Sequence, residues 1–202
     1  MRYLRFILGM TLLGLSLATA QGGGGKQTRI VPLRPLAQDF EVIQGDSEKP
    51  GEPFVMRIRE LRGGIIPVHQ HPVDENITIL EGTMYLGTGP EFDPTKMKKL
   101  GPGGYAFLPK GTMIFGATPD GPATVQVHGI GPFHIHWKYP LQTYQSSGAA
   151  QAFRYRAGQR IKTRYGVGVI EKGWRSGPII QYETRVGGEV VMATESEVRP
   201  VR

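Results

Sequence analysis

Two histidines and a glutamate lie close together in one short segment of the chain, and their side chains could bind a metal ion. His69 and His71 are separated by one residue, and Glu75 follows shortly after them. On a β-strand, residues i and i+2 point to the same face, so both imidazoles can reach one point. Pro72 helps to impose a turn, after which Glu75 can supply a carboxylate oxygen. Two imidazoles and one carboxylate on one side of a cation form a facial triad with open coordination positions.

The donor types restrict the cofactor to a divalent transition metal without selecting one. The chain contains no Cys, which excludes a thiolate zinc site, a disulfide scaffold and a cysteine nucleophile. Nitrogen and oxygen donors leave Fe, Mn, Ni, Cu and Zn as candidates. A centre of this type would support oxygen or enediolate chemistry, although no catalytic residue can be named from the sequence.

Short apolar runs bounded by Gly or Pro surround this segment and predict β-strands. Examples lie at residues 54–58, 77–80, 105–108 and 124–128. The 202 residues include 29 Gly and 16 Pro, a composition that favours short strands joined by turns over helical bundles. The sequence therefore predicts an all-β fold, either a sandwich or a barrel.

The metal-binding segment resembles the first conserved motif of the cupin superfamily. The residues that fit its fixed positions are Gly63, His69, His71, Glu75 and Gly82. The residues that fit the second cupin motif are Gly103, Pro109 and Gly111. Ile114, however, stands where the family has its third metal-binding His, and Thr118 replaces an Asn. The resemblance covers about residues 35–140 and implies a jelly-roll β-barrel with a metal inside.

The missing third histidine leaves three alternatives open. The metal site could consist of His69, His71 and Glu75 alone. His128 could replace the lost ligand if residues 112–118 and 124–129 form a hairpin that places His128 opposite Ile114. A shift of one residue would instead turn His128 outwards. The third alternative is a cupin that binds no metal, in which the two histidines only make hydrogen bonds.

The residues beside the predicted metal site suggest a small pocket with apolar walls. Ile77 and Ile79 share a face with Glu75, and Ile114 adds another apolar wall. Gln126 is a further predicted pocket residue. A pocket of this kind suits a small organic molecule better than a polymer.

Both the N-terminal segment and the linker after it are expected to lie outside the barrel. Residues 1–20 combine Arg2 and Arg5, an apolar run and a small-residue cleavage site ending at Ala20, the pattern of a signal peptide. Residues 21–34 then form a Gly-rich flexible linker. The protein is therefore expected to be exported, to the periplasm or the extracellular space, with no transmembrane segment after cleavage.

A second, basic part follows a polar linker at residues 141–152. Residues 153–202 contain 10 Lys+Arg and 5 Asp+Glu, and their predicted strands lie near 160–163, 167–172, 179–185 and 189–193. Their order resembles small SH3-like barrels of the Tudor or KOW kind. Basic and aromatic residues together can bind nucleic acid, but the export signal argues against that partner.

Three functions of different classes follow from these features. The first is a metal-dependent cupin enzyme of the oxygenase, isomerase or lyase type acting on a small organic molecule. The second is a non-catalytic cupin that binds a small ligand, which the loss of His at position 114 favours. The third is an envelope-binding module in the basic C-terminal part. The resemblance to cupins also implies a homodimer as a possible assembly.

Overall fold

The computed structural model describes residues 28–36, 39–146 and 153–201, and almost all of their regular structure is β-strand. The predicted signal peptide, residues 21–27 of the first predicted linker and residues 147–152 of the second lie outside the described residues. The strands are β1 Phe40–Gln44, β2 Pro53–Glu60, β3 Ile65–Gln70, β4 Glu75–Glu81, β5 Met84–Thr88, β6 Lys98–Leu100, β7 Tyr105–Leu108, β8 Ile114–Ala117, β9 Ala123–Ile130, β10 His136–Trp137, β11 Leu141–Thr143, β12 Arg160–Thr163, β13 Gly166–Ser176, β14 Ile179–Val186, β15 Glu189–Thr194 and β16 Arg199–Pro200.

Helical structure is confined, in these three ranges, to one short 3-10 turn at Pro94–Lys96. The part of the chain that the structure describes has no helix long and apolar enough to cross a membrane. The all-β fold expected from the Gly and Pro content is confirmed.

The first ten strands form two five-stranded antiparallel sheets. The first sheet has the order β1-β2-β9-β4-β7, and the second has the order β10-β3-β8-β5-β6. From β2 to β9, consecutive strands lie in opposite sheets except β5 and β6, which pair within the second sheet, and this is the order of an eight-stranded jelly roll. The predicted jelly-roll architecture is confirmed. Consecutive strands such as β3 and β4 consequently lie in opposite sheets.

The core of the jelly roll lies between the inner faces of the two sheets. Met56, Val127 and Ile77 lie side by side across three strands of the first sheet and are all buried. Ile114 and Leu86 face them from the second sheet and belong to the same cluster. Alternating apolar residues on each strand therefore pack inwards, as the period-two pattern requires.

A six-stranded antiparallel sheet follows the jelly roll. Its order is β15-β14-β13-β12-β16, and β11 pairs with the second half of the long strand β13. The buried core contains Tyr182, Ile161 and Ile170. All four strands predicted in this part are present, and β13 extends to Ser176, beyond its predicted end. The SH3-like classification of this sheet remains a prediction.

One predicted boundary differs from the structure. Residues Leu141–Thr143 were expected to belong to a linker, but they form β11, whose Leu141 pairs with Ser176. The strand is difficult to predict because it contains only three residues and is followed by a polar stretch. Residues 33–202 form one compact unit.

The C-terminal sheet is attached to the jelly roll at the start of β3. The side-chain amide of buried Gln181 donates to the Ile65 carbonyl (2.8 Å) and accepts from the Ile65 N–H (3.0 Å). The backbone N–H of Met192 donates to the Arg62 carbonyl at 2.7 Å. Gly63 has φ 77°, and a Cβ there would lie 2.3 Å from the Met192 carbonyl oxygen. The motif glycine therefore permits close contact between the two parts.

The amide of Gln181 generates a stability prediction. We expect Gln181→Ala to destabilise the protein by about 1–3 kcal/mol, because it leaves both polar groups of Ile65 without their partner. Urea denaturation measures this difference. The control is Gln44→Ala, at an exposed position of β1, which should change stability by less than about 0.5 kcal/mol. Equal effects of the two variants would contradict the prediction.

Candidate metal centre

The three residues of the predicted metal site lie together inside the jelly roll. His69 is on β3, His71 follows that strand directly, and Glu75 is the first residue of β4 in the opposite sheet. Their exposed fractions are 6%, 5% and 4%. The turn between the strands is held by the backbone N–H of Lys110, which donates to Asp74 Oδ1 at 2.8 Å. The chain reversal at Pro72 thus brings a carboxylate from one sheet towards imidazoles from the other.

Hydrogen bonds to backbone carbonyls fix the tautomer of both histidines. Nδ1 of His69 lies 2.7 Å from the Pro67 carbonyl oxygen, and Nδ1 of His71 lies 2.8 Å from the His134 carbonyl oxygen. A carbonyl only accepts, so each Nδ1 carries the proton and donates it. In the neutral ring, Nε2 then keeps its lone pair. This arrangement is the one that metal-binding histidines use to orient the ligating nitrogen.

Burial keeps the three groups uncharged over part of the pH range. Desolvation lowers the pKa of His69, and it lowers the pKa of His71 to about 4. The carbonyl hydrogen bonds act in the opposite direction but do not overcome burial. Desolvation also raises the pKa of Glu75 to about 7. Both imidazoles are therefore neutral near pH 7, the state that binds a metal.

The carboxylate of Glu75 is only partly satisfied by the protein. Its Oε2 atom is buried and has no hydrogen-bond partner among the described residues. Oε2 lies 3.6 Å from Nε2 of His71, which is too long for a hydrogen bond. The opposite pKa shifts disfavour an ion pair at this contact, because burial favours the neutral form of both groups. A buried oxygen without a partner is costly to the fold.

The donor set fits a transition metal chemically, although the ligands are not already arranged around one. Two ligand atoms about 2.1 Å from a metal lie about 3.0–3.4 Å apart at ordinary bond angles, slightly closer than the His71–Glu75 contact. In the ranges that the structure describes, no group of three or more His, Cys, Asp or Glu side chains has a geometry ready to hold a metal ion. Binding would therefore require small side-chain movements.

Aromatic rings enclose the histidines, and the sequence analysis did not identify this feature. Phe133 stacks on His71, with ring centroids 4.1 Å apart and planes 13° apart. Trp137 lies 5.0 Å from His69 between centroids and pairs with it across β10 and β3. The sequence signal for these rings is the alternation of bulky residues from position 133 to 137, which is typical of a strand. These rings restrict both imidazoles and exclude water from them.

The structure corrects the prediction for His128. This residue is exposed on the outer face of β9, opposite Val55 and Asn76, and does not approach the candidate metal centre. The predicted hairpin is wrong because β8 pairs with β3 and β5, whereas β9 pairs with β2 and β4. The valines of β9 point inwards instead. Strand β9 thus supplies apolar core, not a fourth ligand.

Gln126 is likewise misplaced by the sequence analysis. It lies on the outer face of β9, where its Oε1 accepts a hydrogen bond of 3.4 Å from Nε of Arg57. Gln126 and His128 are two residues apart on β9, so both side chains point to the outer face of the sheet. Gln126 is therefore not a pocket residue.

The three isoleucines predicted to form pocket walls lie in the packed core. Ile77, Ile79 and Ile114 have exposed fractions of 4%, 1% and 2%. Ile114 pairs with His69 across β8 and β3, so it occupies the position beside the centre where cupins carry their third His. Its side chain offers no ligand atom.

Comparison with protein-family models and with the sequences of curated proteins gives no match to this chain. Solved structures give partial matches. The DMSP lyase DddQ from Ruegeria pomeroyi DSS-3 is 27% identical over 44% of each chain, with a TM-score of 0.39. An oxalate oxidase is 21% identical over 51% of this chain and 57% of its own, with a TM-score of 0.40.

A third match is a cupin 2 conserved barrel domain protein from Leptotrichia buccalis, 14% identical over 49% of this chain and 44% of its own, with a TM-score of 0.38. The chain thus spans about half the length of these proteins. One of the matched structures is a cupin. Because each match covers only about half of the chain, it assigns no role to an individual residue.

The raised pKa of Glu75 generates a prediction for the metal-free protein. In the unfolded chain the carboxyl loses its proton near pH 4.5, but in the folded protein only near 7. The unfolded state therefore binds fewer protons in this window, and Glu75 lowers the stability as pH rises. We expect Glu75→Gln to be about 1–3 kcal/mol more stable than the wild type at about pH 8.

Urea denaturation with a chelator present measures this effect, and the gain should vanish at about pH 4. The control variant is Glu91→Gln, since Glu91 is exposed at the surface. A loss of stability in Glu75→Gln under metal-free conditions would contradict the account, because it would mean that the carboxylate stabilises the apoprotein.

Proposed function

We propose that this chain binds a divalent transition metal through His69, His71 and Glu75, and that it binds or transforms a small organic molecule there. The observation that supports this most strongly is that two oriented, neutral imidazoles lie beside Oε2 of Glu75, which has no hydrogen-bond partner among the described residues. Each of these features is costly or unnecessary in an ordinary core. Each is what a metal ligand requires.

Each of the three residues would have its own role in binding the metal. His69 and His71 would bind through Nε2, oriented by the carbonyls of Pro67 and His134. Glu75 would contribute the hard oxygen and the negative charge. A bound metal would act as a Lewis acid towards an oxygen atom of the small molecule.

The aromatic and aliphatic surroundings would set the environment of that chemistry. Phe133 and Trp137 hold the two imidazole rings in place, and Ile114 covers the side of His69. A site of low polarity strengthens every electrostatic interaction inside it. The metal could be Fe, Mn, Ni, Cu or Zn, since only nitrogen and oxygen donors are present.

A second candidate function is the binding of a small ligand without catalysis. Ile114 supports this alternative, because it lies beside His69 and offers no atom that could serve as a fourth protein ligand. With one protein ligand fewer, a metal would be held less tightly. Turnover of a small organic molecule by the metal-loaded protein would distinguish the enzyme from the binding protein.

Export of the protein is part of the same proposal. Residues 1–20 have the composition of a signal peptide, and they lie outside the described residues. Fractionation of cells that express the full chain, followed by N-terminal sequencing, tests this. We expect a mature protein that begins at Gln21.

Metal titration tests the proposed centre directly. We expect the chelator-treated wild type to bind at least one of the five metals with micromolar affinity. His69→Ala and His71→Ala should each weaken binding by at least about 10–100-fold, the loss that even indirect partners of a metal ligand cause. Isothermal titration calorimetry provides the measurement.

His128→Ala is the matched control, because this histidine is exposed on the outer face of the jelly roll and its loss should leave metal affinity unchanged. An equal loss in all three variants would indicate nonspecific surface binding. The absence of binding by the wild type would overturn the metal proposal and leave the ligand-binding alternative.

A further inference from the structure

A cavity of about 450 Å³ lies between the jelly roll and the C-terminal sheet. The jelly roll contributes the inner face of β2, including Met56 and Glu60, and the C-terminal sheet contributes Trp174 and Met192. His69, His71 and Glu75 do not line it. Its size suits a small molecule rather than a peptide or a polymer.

The cavity combines apolar walls with an excess of carboxylates. Phe133 and Trp174 provide aromatic rings, and Met56 and Met192 provide flexible apolar side chains. The charged residues that line the cavity are Asp39, Glu48, Arg59, Glu60 and Glu183. One cation thus faces four carboxylates. Such a lining favours a ligand that is positively charged and partly apolar.

Most of these charges already have partners. Asp39 is paired with Arg59 at 3.1 Å, and Glu183 is paired with Lys172 at 3.3 Å. Glu60, in contrast, has no ion pair or side-chain hydrogen bond among the residues that the structure describes. Glu48 also has no ion pair among these residues, but it is exposed to water, whereas Glu60 is half-buried. Among the described residues, Glu60 is therefore the half-buried carboxylate of the cavity that lacks a cation.

The position of Glu60 follows from the alternation along β2. Phe54, Met56, Ile58 and Glu60 share the inner face of the strand, so the carboxylate occupies a position where the preceding three residues are apolar. Burial, together with the negative charge of Asp39, raises the pKa of Glu60 to about 7. A half-buried carboxylate among apolar residues would be stabilised by a bound cation.

We propose that this cavity binds a small organic cation, an ammonium group attached to an apolar body, with Glu60 as its counter-ion and Trp174 against its apolar body. The cation would supply the missing charge partner of Glu60. The aromatic and methionine side chains would bury the apolar body, and the indole ring also attracts cations through its π face. This site is separate from the candidate metal centre, although Phe133 borders both.

Three probes of similar size and different charge test this proposal: benzylammonium, benzyl alcohol and benzoate. We expect the full-length protein to bind benzylammonium at least about tenfold more tightly than benzyl alcohol, a difference of about 1.4 kcal/mol, and not to bind benzoate measurably. Calorimetric titration gives the three affinities. Equal binding of the three probes, or no binding of benzylammonium, would overturn the proposal.

Substitution of Glu60 tests the assigned counter-ion. Glu60→Gln should abolish the preference for benzylammonium over benzyl alcohol and leave the affinity for benzyl alcohol unchanged. The affinity of that alcohol also reports whether the variant still has an intact cavity. Glu91→Gln, a substitution of an exposed carboxylate, is the control and should behave like the wild type. A preference that survives Glu60→Gln would overturn the assignment.

The pH dependence of binding provides an independent readout. The wild-type affinity for benzylammonium should rise between about pH 5 and about pH 8, because the cation binds the ionised form of Glu60. The other carboxylates of the cavity, Asp39, Glu48 and Glu183, remain in Glu60→Gln, so a pH dependence carried by them would persist there. The chelator-treated wild type should retain benzylammonium binding, which separates this proposal from the metal centre.

Discussion

The cost of removing polar groups from water is the constraint on which the centre of this protein depends. His69, His71 and Glu75 are nearly inaccessible inside an apolar sandwich. Each imidazole donates one hydrogen bond to a backbone carbonyl, whereas the carboxylate oxygen Oε2 makes none within the part of the chain that the structure describes. The pKa values shift towards the neutral forms for this reason. A cation is the partner that would compensate all three groups at once.

The jelly-roll topology makes this juxtaposition possible. Strands β3 and β4 are consecutive in sequence but lie in opposite sheets, so the short turn between them carries the chain across the sandwich. Two imidazoles on one wall and a carboxylate on the other are therefore neighbours in both sequence and space. A hairpin within one sheet would instead have placed them along a single surface.

The strand pattern predicted an all-β sandwich or barrel, and the resemblance to cupins implied the jelly roll. The motif spacing located the residues that the structure groups in the interior. The sequence could not predict the side of β9 on which His128 lies, because Val125, Gln126, Val127 and His128 alternate without showing which face is buried. That choice depends on whether β8 and β9 share a sheet, which is a long-range property. The same holds for Phe133 and for the cavity around Glu60, which require distant strands to meet.

The attachment of the C-terminal sheet bears on how the chain is divided into parts. Strand β11 lies within the predicted linker yet pairs with β13, and Gln181 satisfies both polar groups of Ile65 in the jelly roll. A chain cut near residue 147 would leave β11 without a neighbour and the backbone of Ile65 without its amide. Residues 33–202 should accordingly unfold in a single cooperative transition, and neither half could be exchanged for an unrelated module without rebuilding the surface of the other.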